Sequence, residues 1–245
     1  MQVKLIQHSS LDAIDRAICK CHDRIFTECN LNRIERVGNK MKHASVLEHC
    51  NYTFDIDGVS RACLQEIARH RIASYTVKSS RYTLDELKKE SPFVKGIHYH
   101  KTVDKYAIIL QRNAMTRASK YLVYTSEEKV NTHNIAKLDM LRVNVQSGLA
   151  NDMTKFELPE AYKTSYVTTI NIRSLQNFIK LRTHSSALWE IQYLAKAMYD
   201  ALPETHKYLF ADSLEHNLVD VKMTKEQFKD WQNKKKETNE FINRR

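Results

Sequence analysis

The chain has 245 residues, a length that allows one large domain or two small ones with a sizeable buried core. It holds four glycines and three prolines, which disfavours a phosphate site on a Gly-rich loop and favours long helices. Lys and Arg number 39 against 29 Asp and Glu, a formal net charge of +10. This charge suits anionic small molecules such as nucleotides and does not require nucleic acid.

Part of the positive charge is concentrated at the C-terminus. Residues 222–245 hold eight Lys or Arg against four Asp or Glu, with few apolar side chains. We therefore predict one domain over residues 1–221 and a basic tail over residues 222–245 that is solvated or partly disordered. The charge alone does not require this tail to bind nucleic acid, and such binding stays open as an alternative.

Five cysteines, an odd number, without a secretory signal predict a reduced, cytoplasmic setting. Cys19, Cys21 and His22 lie close together, but no second ligand pair follows at a usual zinc spacing, so we predict no metal site. No apolar run reaches the ~20 residues that span a bilayer, and we predict no membrane association.

The predicted elements alternate between strands and helices in the first half of the chain. Residues 3–6 form a strand, and Ser10 caps a helix that contains Ala13 and Ile18. A second helix covers 31–41. The alternating residues 52–56 form a half-buried strand that a turn at Asp57-Gly58 closes, and a helix follows from Val59.

The second half is richer in predicted helix. Helices are predicted over residues 102–125, 126–148, 174–181 and 186–202, with a β-branched strand at 167–172. The order shows no βαβ rhythm. We therefore predict an α+β fold in which a central, mostly antiparallel sheet packs with several long helices.

The most informative residues follow the helix that begins at Val59. Arg69-His70-Arg71 falls in its predicted last turn, and Ser79-Ser80-Arg81-Tyr82 follows after seven intervening residues. Arg offers a fixed fork of donors for phosphate, and Ser hydroxyls add further donors, so an anion pocket is one interpretation. The other is that these cations complement the helix dipole, by roughly 0.3–1 kcal/mol each.

The spacing Arg-His-Arg, seven residues, Ser-x-Arg resembles the signature of the flavin-dependent thymidylate synthases. Three other stretches agree with that family. They are the segment from His43 through Glu48-His49, the run Asn171-Ile172-Arg173-Ser174-Leu175 with Asn177-Phe178 and Leu181-Arg182, and Lys155 four residues before Pro159. On a helix, Arg173, Asn177 and Leu181 share one face, which suits the wall of a pocket.

The resemblance implies an enzyme that uses FAD, NADPH, methylenetetrahydrofolate and dUMP to make dTMP. The cofactors carry the chemistry, and the protein orients them and stabilises charge. Relatives form homotetramers with shared active sites, so the resemblance also implies that residues 79–81 serve a neighbouring subunit.

The resemblance also implies roles for individual residues. Arg69 and Arg182 are the catalytic residues, with Arg69 between dUMP and flavin and Arg182 on the uracil. FAD is bound by His43, Ser45, Arg69, His70, Arg71, Asn171, Arg173, Asn177 and Leu181. The nucleotide dUMP is bound by Glu66, Arg69, Ser79, Ser80, Arg81, Lys155 and Arg182.

The chain departs from the family pattern at several positions. Many relatives have Asn-Glu where Thr76 and Val77 stand, and Gln is common at the place of Glu66. Ser186 lies where some relatives have a flavin-contacting His, although His184 is close. Two alternatives therefore stay open: a flavin-binding relative that lacks synthase activity, and a basic nucleic-acid-binding protein without a chromophore.

Overall fold

The structure is a computed structural model that describes residues 1–100 and 105–214. The strands are β1 (Gln2–His8), β2 (Asn51–Ser60), β3 (Ala73–Val77), β4 (Val94–His100), β5 (Lys105–Leu110) and β6 (Lys163–Asn171). The α-helices are α1 (Asp12–Cys21), α2 (Leu31–Ile34), α3 (Arg61–Ile67), α4 (Ser80–Thr83), α5 (Ala114–Ala118), α6 (Glu128–Gln146), α7 (Asn151–Thr154), α8 (Ile172–Arg182), α9 (Trp189–Asp200) and α10 (Glu204–Lys207). A π-helix spans Glu35–Lys40, and 3₁₀-helices span Ala44–His49, Leu84–Lys89, Lys155–Glu157 and Tyr208–Ser213.

The chain divides into two compact units. The first comprises residues 1–57, 65–76 and the part from 166 onward, and the second comprises residues 58–64 and 77–165. The boundary at 221 and the basic tail at 222–245 lie outside the described residues, so the predicted domain division stays a prediction. None of the helices that the structure describes combines the length and apolar character needed to cross a bilayer.

Strands β1, β2, β6 and β3 lie side by side in that order and form a four-stranded sheet. β1 pairs antiparallel with β2, with Leu5 opposite Phe54. Tyr52, Phe54 and Ile56 are fully buried, so the predicted alternation of β2 is confirmed. The predicted turn at residues 57–58 is wrong. Gly58 adopts a φ of 74°, which glycine tolerates without strain, and the strand continues to Ser60.

In the second unit, β4 and β5 pair antiparallel in a separate two-stranded sheet. Ile97 lies opposite Ile108, so the predicted helix over residues 102–125 is wrong over residues 105–110. Residues 102–104 lie outside the described residues, and of the remainder α5 is helical. Ile108 and Ile109 are β-branched, which favours a strand, and cross-strand pairing outweighs the helical spacing of this segment. The predicted helix at 126–148 is confirmed as α6, and the α+β fold with an antiparallel sheet and helices is confirmed.

Two further predicted helices of the first unit are confirmed as α8 and α9, with ends that shift by a few residues. The apolar stripe of α8, formed by Leu175, Phe178 and Ile179, is buried. The helix predicted over residues 31–41 is partly wrong, because a short α-helix passes into the π-helix Glu35–Lys40. A π-helix widens the turn, and such segments are frequent at functional sites.

A buried ion pair fixes α1 to α2 and thereby the start of that π-helix. Asp15 is fully buried and accepts hydrogen bonds from Nε and Nη2 of Arg33, at 2.5 and 2.6 Å, and from the backbone N–H of Asn30 at 2.9 Å. Burial alone would raise the pKa of Asp15, but the hydrogen bonds from Arg33 and Asn30 lower it below the ordinary value of 3.8.

We expect Asp15→Ala to lower the free energy of unfolding by about 3 kcal/mol, because Arg33 loses its buried partner. Chemical denaturation at neutral pH measures this change. Asp200→Ala is the matched control, since the Asp200–Lys196 pair is exposed and its loss should cost less than about 0.5 kcal/mol. Equal effects in the two variants would contradict the structural role of Asp15.

Candidate functional site

The Arg69-His70-Arg71 segment connects α3 to β3 in the first unit. The sequence predicts these residues in a last helical turn, but α3 ends at Ile67 and the three residues lie just beyond it. The backbone N–H of His70 donates to the carbonyl of Ile67 at 2.9 Å. The hydroxyl of Tyr75 donates to the carbonyls of Ile67 and His70, at 3.1 and 2.9 Å. Tyr75 therefore fixes the path of the segment.

The last residue of α8, Arg182, connects this segment to the second sequence motif. Its Nε donates to Nε2 of His70 at 2.9 Å, and its Nη1 donates to Oε2 of Glu66 at 2.8 Å. Its Nη2 donates to the backbone carbonyl of Glu66 at 3.1 Å. We call Glu66, Arg69, His70 and Arg182 the arginine cluster. Two motifs more than one hundred residues apart thus meet in one hydrogen-bonded group.

His70 is held in its neutral form within the cluster. Its ring packs edge-on against Phe178, with ring centroids 4.9 Å apart. Burial, followed by the charges of Arg182 and Arg69, lowers the pKa of His70 to about 4. Because Nε2 accepts a hydrogen bond from Arg182, the proton of the neutral ring belongs on Nδ1.

The two other arginines of the segment face solvent. The Arg69 side chain is 70% exposed, and its Nη1 lies 3.4 Å from Oε2 of Glu66. Arg71 is exposed as well. Glu66 therefore accepts from two guanidinium groups, of which Arg182 is largely buried and Arg69 is not. The cluster can present cationic donors to an anionic or carbonyl-rich ligand at this surface.

Two neighbouring cavities in the first unit collect four of the residues predicted to bind FAD. The first cavity, of about 270 Å³, is lined by His43, Ser45 and Arg173. The second, of about 250 Å³, is lined by Arg173 and Asn177. Arg173 lines both, and its Nη1 donates to Oε1 of Glu48 at 2.6 Å. These cavities offer imidazole, hydroxyl, amide and guanidinium groups.

Two other residues of the α8 motif that are predicted to bind FAD, Asn171 and Leu181, do not line these cavities. Asn171 is the N-cap of the helix, and its Oδ1 accepts from the backbone N–H of Ser174 at 2.8 Å. Leu181 is 54% exposed. The shared face of Arg173, Asn177 and Leu181 is therefore the exposed face of α8, opposite its buried apolar stripe.

The residues predicted to bind the dUMP phosphate lie in the second unit. Ser79 is the N-cap position of α4, and Arg81 is exposed with its Nε 4.0 Å from Oδ1 of Asp152. The side chain of Asn151, in α7, donates to the backbone carbonyl of Arg81 at 2.9 Å. Lys155 begins the next 3₁₀-helix. α4 and α7 therefore bring the Ser79–Arg81 segment and the chain leading to Lys155 together.

Other lining residues were missed by the sequence analysis. Lys42 lines both cavities, Lys180 lines the second, and Cys21 and His22 line the first. The place of Lys180 could have been found, because it lies seven residues after Arg173 and so on the same helical face. The place of Lys42 depends on the π-helix before it, for which the sequence gives no signal.

Ser186 stands where some relatives of the family have a flavin-contacting His. In the structure, Nδ1 of the nearby His184 and Oγ of Ser186 share a hydrogen bond of 2.8 Å.

Comparison with known proteins gives one consistent result. A family model described as thymidylate synthase complementing protein matches residues 4–206. A flavin-dependent thymidylate synthase of Wolinella succinogenes is 49% identical over 215 residues, which cover 86% of this chain and 97% of the relative. One of Campylobacter jejuni is 44% identical over 223 residues, covering 89% of this chain and all of the relative.

A solved structure agrees with these sequence matches. The crystal structure of thymidylate synthase X from Helicobacter pylori with FAD and dUMP superposes with a TM-score of 0.78 at 42% identity. The match covers 88% of this chain and 100% of that chain.

The depressed pKa of His70 predicts a pH dependence of stability. Because its folded-state pKa of about 4 lies below the ordinary 6.5, the unfolded chain binds more protons between these values. The contribution of neutral His70 is therefore complete above about pH 6.5 and is lost as the pH falls toward 4. The free energy of unfolding should therefore rise with pH in this range. We expect His70→Gln to reduce that rise, as measured by urea denaturation between pH 4.5 and 7.

Part of the slope should remain in His70→Gln, because burial also lowers the pKa of His206 to about 4. A variant whose slope equals that of the unmodified protein would show that His70 is not held neutral in the folded state.

Proposed function

Because the chain belongs to the family of thymidylate synthase complementing proteins, we propose that it is a flavin-dependent thymidylate synthase. The reaction is the reductive methylation of dUMP to dTMP, with methylenetetrahydrofolate as the carbon donor and NADPH as the reductant. The observation that carries this proposal is the arginine cluster, in which Arg182 joins the Arg-His-Arg motif to the end of α8.

The residues around the two cavities fit a flavin. Ser45 and Asn177 supply neutral polar groups, which suit the carbonyl and nitrogen edge of a flavin ring. Arg173 supplies a guanidinium that suits a phosphate. His43 adds an imidazole at the wall of the first cavity. We propose that these four residues, with Arg69, His70, Arg71, Asn171 and Leu181, bind FAD.

FAD, when bound, would supply the hydride chemistry that links NADPH to the transferred carbon. The protein's part is to hold the substrate and to stabilise charge on the uracil ring. Arg182 uses three of the five N–H donors of its guanidinium within the chain and keeps two for a uracil carbonyl. Because three hydrogen bonds fix the guanidinium of Arg182, its remaining donors are preorganised for the charge that develops on the substrate.

Glu66 and Arg69 complete the proposed contact with the nucleotide. Glu66 binds Arg182 through both its carboxylate and its backbone carbonyl, so its position controls where the guanidinium points. Arg69 is exposed and is free to approach an anionic ligand, since its contact with Glu66 is long at 3.4 Å. We propose Arg69 and Arg182 as the catalytic residues, with Glu66 also in contact with dUMP.

The second unit supplies the proposed phosphate site of dUMP. Ser79 and Ser80 carry hydroxyl donors, Arg81 carries a guanidinium, and Lys155 adds a point charge. In this assignment Arg81 exchanges its 4.0 Å contact with Asp152 for the phosphate. We further propose a homotetramer with shared active sites in a cytoplasmic setting, as the resemblance to the family implies.

We expect the purified protein to be yellow and to form dTMP from dUMP when supplied with FAD, NADPH and methylenetetrahydrofolate. Arg69→Ala should lower dTMP formation by about 10²-fold or more, because it removes a donor beside the reacting ring. Arg24→Ala is the matched control, since Arg24 is exposed and lines neither cavity.

The outcomes of this assay separate the candidate functions. A yellow protein that oxidises NADPH without forming dTMP would favour a flavin-binding relative whose Thr76-Val77 segment has lost the synthase activity. A colourless protein that cannot take up FAD and binds DNA in a salt-sensitive manner would overturn the proposal.

The shared active site predicts complementation between inactive chains. Co-expressed Arg69→Ala and Arg81→Ala chains should recover about one quarter of the activity, because random mixing places intact copies of both residues at one site in four. Arg69→Ala with Arg182→Ala is the control. These two residues bind the same Glu66 within one chain, so their mixture should stay inactive. Equal recovery in both mixtures, or none in either, would contradict the shared site.

A further inference from the structure

The side chain of Tyr75 reaches back from β3 to the chain that follows α3. Its hydroxyl donates to two backbone carbonyls, that of Ile67 at 3.1 Å and that of His70 at 2.9 Å, which share its one proton. The backbone N–H of His70 donates to the same Ile67 carbonyl at 2.9 Å. The hydroxyl thus ties β3 to the end of α3 across the loop that contains Arg69, His70 and Arg71.

The ring of Tyr75 is itself held in place. It is half-buried and meets the ring of Tyr166, on the neighbouring strand β6, edge-on with ring centroids 6.2 Å apart. Burial raises the pKa of Tyr75 to about 12, so the hydroxyl keeps its proton at neutral and acidic pH. The position of this donor is therefore fixed, and its ability to donate does not depend on pH in that range.

His70 is held at both its backbone and its ring. Tyr75 binds the backbone carbonyl, whereas the ring packs edge-on against Phe178 with centroids 4.9 Å apart. Nε2 of the ring accepts from Nε of Arg182 at 2.9 Å. Because the ring is joined to the backbone through only two side-chain torsions, a displaced backbone would carry Nε2 away from Arg182.

His70 and Glu66 together determine where the guanidinium of Arg182 points. Nη1 and Nη2 donate to Glu66, at 2.8 and 3.1 Å, so Nε is the position that His70 controls. Because a guanidinium is planar and rigid, a shift at Nε turns all of its N–H groups together. The two donors proposed for the uracil carbonyl turn with it, and misaligned donors stabilise the developing charge less well.

We propose that Tyr75 is a positioning residue for the synthase reaction: its hydroxyl holds the His70 backbone so that Nε2 of the ring stays on Arg182. This inference rests on the proposed function, because Arg182 is the proposed contact with the uracil. Tyr75 does not touch the substrate in this assignment and acts on the reaction through His70. Strand β3 thereby controls the direction of the side chain that ends α8.

The same arrangement keeps His70 neutral. The neighbours that bear on its charge are Glu66 on α3, Arg69 in its own segment, Arg182 on α8 and the hydroxyl of Tyr75 on β3. Burial is the largest cause of its lowered pKa, followed by the charges of Arg182 and Arg69, while Glu66 acts in the opposite direction. A loosened segment would admit water and return the pKa of His70 from about 4 toward the ordinary 6.5. A protonated ring cannot accept from Arg182.

Tyr75→Phe removes the hydroxyl and keeps the ring against Tyr166. In the FAD-loaded protein we expect the kcat for dTMP formation to fall about tenfold, while the KM for dUMP changes less than about threefold because the phosphate contacts remain. Tyr124→Phe is the matched control, since its hydroxyl also donates to a backbone carbonyl, that of Met115 at 2.5 Å, but lies in the second unit. The control should lower the urea midpoint to a similar extent and leave kcat unchanged.

The pH profile separates positioning from a general loss of stability. We expect the acid limb of the kcat profile to move upward by about one pH unit in Tyr75→Phe, because the loosened His70 takes up a proton at a higher pH. Tyr124→Phe should leave the limb where it is. In His70→Gln, which has no ring to titrate at this position, adding Tyr75→Phe should not move the limb further.

Stability measured without substrate tests the same point independently of activity. The urea midpoint of the unmodified protein should rise between pH 4.5 and 7, and Tyr75→Phe should show a smaller rise, because the pKa of its His70 lies nearer to the unfolded value. An unmodified protein that forms no dTMP would contradict the proposed function, whereas an equal rise in both proteins would contradict the role of Tyr75.

Three results of the activity assay would overturn the inference. They are a kcat of Tyr75→Phe equal to that of the unmodified protein, a fall in kcat no larger than that in Tyr124→Phe, and an acid limb that does not move. Loss of bound FAD from Tyr75→Phe, seen as loss of the yellow absorbance, would also overturn it, because the hydroxyl would then act through the flavin.

Discussion

The guanidinium of Arg182 imposes the central constraint on the first unit. Its side chain is 15% exposed, so its N–H groups need acceptors from the protein. The chain supplies the carboxylate and carbonyl of Glu66 and the Nε2 of His70. These three acceptors hold the end of α3 beside the end of α8. They also require an unprotonated His70 nitrogen, which agrees with its lowered pKa.

Helix α8 serves several purposes along its length because its faces differ. Asn171 caps its start, and the stripe that includes Phe178 is buried and supports the ring of His70. Its polar face borders both cavities, and its last residue is Arg182. A single helix thus positions the groups proposed to bind the flavin and the uracil, so a change in its register would disturb both sets of residues together.

A segment of irregular backbone places two residues at the cavity walls. The π-helix Glu35–Lys40 and the left-handed Lys42 deliver Lys42 and His43 to the cavity walls. This segment is anchored at its beginning by the Asp15–Arg33 pair, which lies in the interior. The Asp15–Arg33 pair thus lies next to a segment with an unfavourable backbone conformation, and such conformations are often found where geometry serves binding.

Local patterns in the sequence determined the longer elements of the first unit and helix α6. The alternation of Tyr52, Phe54 and Ile56 fixed a buried strand, and the stripe of α8 fixed its buried face, because both depend on periods visible in a few residues. The spacing of the Arg-His-Arg and Ser-x-Arg motifs was enough to indicate the family. The hairpin of β4 and β5 was missed, since its strands are decided by pairing between segments and not by local propensity.

The tertiary structure alone decided how the motifs act on one another. The sequence could name Glu66, His70 and Arg182, but not that the arginine uses three of its donors on the other two residues. It gave no sign that Lys42 joins Lys180, because one follows a π-helix and the other lies on α8. Hydrogen bonds and shared cavities depend on distances between parts of the chain far apart in sequence, and those distances are set when the core packs.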